Sequence, residues 1–186
     1  PFRRGCPPVY AALVGWGRDG HSTRSRGPGS VVLAGAQPVA SEPEDLVDDI
    51  EELVGNFQRV IQRLKYLPKP VVSAPHGLTL GGGCEMALAA DRMMVDKETY
   101  LGLVEVGVGL IPGGAGNLNM LWRALEGFPE GMTVNTYDAV TQVFKNIAMA
   151  SVATSAAEAQ HKGYFRWSDG VSFDRARQLH EAKQKA

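Results

Sequence analysis

The chain has 186 residues, of which 44% are apolar and 21% charged, and its net charge is −1. That is the length and composition of one globular domain, with or without an appendage, able to bury a sizeable core. The near-neutral balance gives no electrostatic reason to expect nucleic acid or an acidic membrane as partner.

Taken in chain order, "VYAALV" (9–14) and "SVVLAG" (30–35) read as short buried strands, separated by the basic, Gly/Ser-rich and aperiodic loop "GRDGHSTRSRGPGS". A helix is predicted from Ser41, with Ser41 as N-cap, Pro43 in the first turn and Glu44 completing a capping box. Leu46, Ile50, Leu53, Phe57, Val60 and Leu64 recur at helical spacing, and Val54 and Ile61 widen the stripe. An acidic first turn and a basic last turn suit the helix dipole, and "PKP" (68–70) stops the helix.

Shorter elements follow. "VVSA", "LTL", "RMMV" and "YLGL" read as strands, and "PHG", "GGG", "DKET" and "IPGGAG" as turns. Helices fit Cys84 to Ala90, a stretch from about Asn117, then 136–150, 155–162 (ended by Gly163) and 173–184. Repeated strand–strand–helix units mean mixed α/β. The organisation expected is an atypical N-terminal segment (1–40), a core carrying the chemical motifs (41–134) and a helical C-terminal region (135–186).

Chemistry concentrates in "TLGGGCEMALAADR" (79–92). A glycine turn entering a helix can bring the unpaired first-turn N–H groups against a ligand oxygen, which stabilises an oxyanion. Gly82 is the candidate donor, and Glu85 lies in the same first turn. Equally, a tight turn with an acidic residue at a helix start is a common structural device. Glu105 stands among Leu103, Val104, Val106 and Val108, where burial is costly without a partner or a task; the alternative is an edge-strand residue facing solvent. Two carboxylates beside one oxyanion donor suit acid–base work on a single water, and burial with mutual repulsion should raise at least one pKa.

Other features carry less. G-x-G-x-x-G occurs at Gly15, Gly17 and Gly20, but "HSTRSRGPGS" follows where a dinucleotide site needs a helix, so no NAD site is expected. Cys84 reads as an apolar packing thiol. Trp16, Trp122 and Trp167 show no stacking pattern and are expected in a core or an interface. Two cysteines, Cys6 and Cys84, form no disulfide framework, which makes a reducing compartment, the cytoplasm, the default. No apolar run reaches the roughly 18 residues that span a bilayer, and no secretory signal is visible. The chain begins at Pro1, which suggests a processed or truncated piece.

"KPVVSAPHGLTLGGGCEMALAADR" and "ETYLGLVEVGVGLIPGGAG", with "VATSAAEAQHKGYFRWSD" further on, resemble the enoyl-CoA hydratase (crotonase) superfamily. The wording "ETYLGLVEVGVGLIPGG" is most similar to the hydratase domain of bacterial proteins that join a 3-hydroxyacyl-CoA dehydrogenase to an enoyl-CoA hydratase. The resemblance covers residues 42–185 and is most specific over 69–116. It implies a crotonase-type α/β spiral of strand–strand–helix units with C-terminal helices, shortened or atypical at the N-terminus. It implies Glu85 and Glu105 as the catalytic pair, Gly82 as an oxyanion donor and Gly113 as a glycine holding the thioester and water site. Asp91 falls on an acid whose role is structural, and His76 on a turn beside the acyl-CoA path.

The family's oxyanion hole takes a second N–H from an upstream loop. "LAGAQP" (33–38) is the nearest match and makes Ala36 the candidate, although "SVVLAGAQ" also reads as the start of the helix after that loop. The implied reaction is hydration of a 2-enoyl-CoA to a 3-hydroxyacyl-CoA in fatty-acid β-oxidation. The coenzyme A thioester is the substrate, no metal or redox cofactor is needed, and the implied assembly is a homotrimer or hexamer. Double-bond isomerisation, and an acyl-CoA-binding or assembly module of weak activity, are the alternatives.

Overall fold

The apolar period becomes helix α1, Leu46–Lys65, with Arg63 and Lys65 in its last turn. The computed structural model describes residues 9–12, 30–32, 46–126, 128 and 135–185. The expected cap at Ser41, Pro43 and Glu44 therefore lies outside the described residues, as do Ala36, Cys6, Trp16 and the three glycines of G-x-G-x-x-G. Only part of the predicted stripe is buried. Ile61 sits in the core, with Phe57 and Leu64 packed against it, while Ile50, Leu53 and Val60 are exposed. A stripe this wide does not say which of its lines will meet the rest of the fold.

The strands are β1 (Val9–Ala12), β2 (Ser30–Val32), β3 (Val71–Ser73), β4 (Leu78–Leu80), β5 (Arg92–Asp96), β6 (Tyr100–Gly102) and β7 (Gly170–Ser172). Among the described residues they form a five-stranded parallel sheet in the order β2-β1-β3-β5-β7 and a separate parallel pair, β4-β6. Val72 pairs with Arg92, and Leu78 with Tyr100. The units β3-β4 and β5-β6 thus each give their first strand to the large sheet and their second to the pair. The helices of these units are α2 (Gly82–Ala89) and α3 (Gly116–Glu126). α2 is apolar on every side except at Glu85, as a helix buried all round must be.

The C-terminal helices are α4 (Tyr137–Ala148), α5 (Ala156–His161) and α6 (Gln178–Lys185). Ser155 caps α5 by accepting the Glu158 amide. α6 starts later than the predicted 173, because residues 170–172 form β7 and the Asp174 carboxylate then accepts the Ala176 amide in a turn. On α4 the buried residues are Val143 and Asn146, whereas the apolar Tyr137, Val140 and Phe144 are exposed. Trp122 and Trp167 are exposed too, so neither is a core residue.

One buried ion pair joins the C-terminal region to the core. Arg123 Nη1 donates to Asp169 Oδ2 at 2.8 Å and to the Tyr164 carbonyl at 3.0 Å, and Nη2 donates to the Leu88 carbonyl at 3.1 Å. Asp169 also accepts the Met93 and Arg166 amides, both at 2.7 Å. Asp91 behaves as a structural acid, its Oδ2 accepting the Val71 amide at 2.8 Å.

Candidate active site

α2 begins at Gly82, two residues before the predicted Cys84, so only the first glycine of the triplet is a turn. Gly81 has φ 55°, a left-handed conformation that favours glycine. Its amide donates to the Gly102 carbonyl at 2.9 Å, and its carbonyl accepts the Glu85 amide at 3.0 Å. Gly82 and Gly83 then lie in the first helical turn, where amides have no carbonyl of the helix to donate to. Their amides are the ones the glycine run leaves without a partner inside the helix.

Glu85 projects from that turn and is 2% exposed. Its Oε1 accepts two amides from the loop entering α3, Gly114 at 2.7 Å and Gly116 at 2.9 Å. Between these glycines Ala115 adopts φ 70°, a strained conformation for a residue with a side chain. This turn aims both amides at one oxygen, the concave arrangement of N–H groups that receives anions. Even so, the carboxyl is pushed up to about 7, first by burial and then by the charge of Glu105, and the two amides hold it from rising further.

Glu105 opens a 3-10 turn, Glu105–Val108, and is not on an edge strand. Both carboxyl oxygens are buried and make no hydrogen bond among the described residues. Burial pushes its pKa up as well, tempered by the nearby amides of Val104 and Glu105 itself. A buried carboxyl without donors is uncommon and calls for an explanation. A Cβ placed on Gly81 would stand 3.6 Å from Glu105 Oε1, so this carboxyl faces the start of α2. The fold therefore brings Glu85 and Glu105 to one glycine turn, although 20 positions separate them in the chain.

Gly113 lies beside α1, its carbonyl accepting Gln58 Nε2 at 2.8 Å. The amides that reach Glu85 belong to its neighbours Gly114 and Gly116, which the motif reading did not single out; the signal available was the density of small residues in "GGAG". Cys84 is fully buried and its thiol is pushed up by burial, the state of a packing residue and not of a nucleophile. His76 lies between β3 and β4 with Nδ1 buried and without a hydrogen bond, and burial lowers its pKa. Among the described residues, no group of three or more His, Cys, Asp or Glu is placed to hold a metal ion, and no helix is long and apolar enough to cross a membrane.

A family model described as enoyl-CoA hydratase/isomerase matches residues 29–163. The Bacillus subtilis (strain 168) protein named "Probable 3-hydroxyacyl-CoA dehydrogenase" is 41% identical over 138 residues, which are 74% of this chain and 17% of that protein. The fatty acid oxidation complex subunit alpha of Vibrio cholerae (O395) is 44% identical over 86 residues, 45% of this chain and 12% of that protein. The chain thus spans under a fifth of the length of these relatives. Among solved structures, enoyl-CoA hydratase from Bacillus anthracis superposes with a TM-score of 0.57 at 25% identity, covering 74% of this chain and 48% of that one. Enoyl-CoA hydratase from Thermoplasma volcanium gives 0.60 at 18% identity over 83% and 57%, a likeness of fold alone.

Proposed function

The chain belongs to the enoyl-CoA hydratase/isomerase family, with the crotonase-type α/β fold, and on that premise we propose that it hydrates a 2-enoyl-CoA to the 3-hydroxyacyl-CoA in fatty-acid β-oxidation. The observation that carries this reading is the convergence of two buried carboxyls with raised pKa, Glu85 and Glu105, on the glycine turn that starts α2. Addition of water by two side-chain acids needs one of them as carboxylate, to take a proton from water, and the other as carboxyl, to give one to Cα. A pair that resists losing both protons supplies that state near neutral pH, the shared proton being a property of the pair.

The thioester oxygen accepts the Gly82 amide at the positive end of α2, with Ala36, by resemblance, as second donor. One glutamate removes a proton from water as the water oxygen bonds to Cβ. The C2–C3 π electrons shift to C1–C2 and the carbonyl π pair moves onto the thioester oxygen, giving an enolate. The other glutamate gives its proton to Cα, and the carbonyl re-forms. One glutamate ends protonated and the other ionised, and proton exchange restores the pair. Two acids favour hydration over isomerisation, which needs only one. Assembly as a trimer or hexamer belongs to the same reading, and the exposed Tyr137, Val140 and Phe144 on α4 offer it an apolar face.

The test is hydration of a short 2-enoyl-CoA, followed by loss of absorbance of the conjugated thioester. Glu85→Gln and Glu105→Gln should each lower turnover by about two orders of magnitude or more. Near-normal hydration by either variant removes that residue from the mechanism. Binding without turnover by the unaltered chain marks an acyl-CoA-binding module instead.

A further inference from the structure

Glu85 has a cover that the mechanism above does not use. Its Oε1 is taken by two amides, and among the described residues no hydrogen bond is made to Oε2. A Cβ built on Gly114 would stand 2.4 Å from Phe57 Cε1, 2.6 Å from Ile61 Cδ1 and 2.7 Å from Glu85 Oε2. One point is therefore crowded at once by the ring, the isoleucine methyl and the second carboxylate oxygen. A Cβ on Gly82 would stand 3.1 Å from Phe57 Cζ. The same ring thus spans from the first turn of α2 to the loop that holds Glu85.

We propose that Phe57, backed by Ile61, is a positioning residue for Glu85: its ring limits the approach of water to the carboxylate from the side of the second oxygen and keeps the first against the Gly114 and Gly116 amides. The geometry stands by itself, whereas its consequence for turnover rests on the hydratase reading. Phe57 is half-buried and Ile61 is in the core, so the ring is the movable part of the cover. Burial is the leading cause of the upward push on Glu85. Facing Glu85 are the Glu105 carboxyl from the 3-10 turn, the Cys84 thiol on its own helix and backbone amides from the loop into α3. None of the groups that shift Glu85 lies on α1, whose contribution is the exclusion of water. The cover also accounts for glycine at position 114, since any side chain there would displace it.

The test is a titration of the Glu85 carboxyl carbon by NMR in protein labelled at glutamate, with the resonance identified by its loss in Glu85→Gln. Phe57→Ala admits water and should lower the midpoint by about one pH unit; Phe57→Leu, which keeps apolar bulk without the ring, should lower it by roughly half as much. Circular dichroism checks that each variant is folded, and if Phe57→Ala is not, Phe57→Leu decides. A midpoint unmoved in the folded variants overturns the proposal. If hydration occurs, the acid limb of its pH profile should move with the NMR midpoint, which loss of packing alone would not produce. A midpoint that moves in a chain that never hydrates supports the positioning role and sinks the hydratase reading.

Discussion

Glu85→Gln is expected to flatten the dependence of stability on pH between about 5 and 8. In the folded protein burial lifts this carboxyl from its ordinary 4.5 to about 7. Between those values the folded state binds more protons than the unfolded chain, so stability falls as pH rises through the window and is fully present below it. At 1.36 kcal/mol per pH unit the interval is worth at most about 3 kcal/mol, and relaxation and water entry reduce the expected figure to about 2 kcal/mol. Glutamine keeps the shape and an oxygen that can accept the Gly114 and Gly116 amides, so the fold survives. Glu105, raised by burial in the same direction, still titrates in the variant, so the slope is reduced and not abolished. Urea unfolding of both proteins at pH 5, 6, 7 and 8 measures the effect. The two stability curves should separate by about 2 kcal/mol over this range, with the variant gaining on the unaltered protein as pH rises. Parallel curves would refute the reasoning, because they would mean that burial does not set the proton affinity of Glu85.

Gly114→Ala puts a methyl group where Phe57, Ile61 and Glu85 already crowd the backbone. It should cost about 1–3 kcal/mol of stability in urea unfolding, and Phe57→Ala in the same chain should recover part of that loss. Asp169→Asn removes the charge from a carboxylate that is 0% exposed and leaves the Arg123 guanidinium buried without a counter-ion. The expected cost is about 3–5 kcal/mol, read from the same unfolding midpoints. Light scattering should find a trimer or hexamer in solution; a monomer at every concentration would contradict the assembly proposed for the α4 face.

Much of the site was legible in the sequence because its signals are local. Three glycines before a carboxylate that opens an alanine-rich run announce a helix start with exposed amides. A glutamate amid valines announces a costly burial, and alternating short strands and helices announce a mixed α/β chain. Period and turn chemistry act over a few residues, so they can be read without knowing where the chain goes. The tertiary structure decided the rest. It chose Ile61, with Phe57 and Leu64 beside it, as the inward line of α1, and left Ile50 and Leu53 outside. It sent β3 and β5 to one sheet and β4 and β6 to another. It gave Glu85 its two amides from residues 29 and 31 positions away, and Arg123 its carboxylate 46 positions away. No local pattern encodes such partners. Which ring covers a carboxylate, and which amides hold it, depends on close packing between segments that meet only when the whole core has formed.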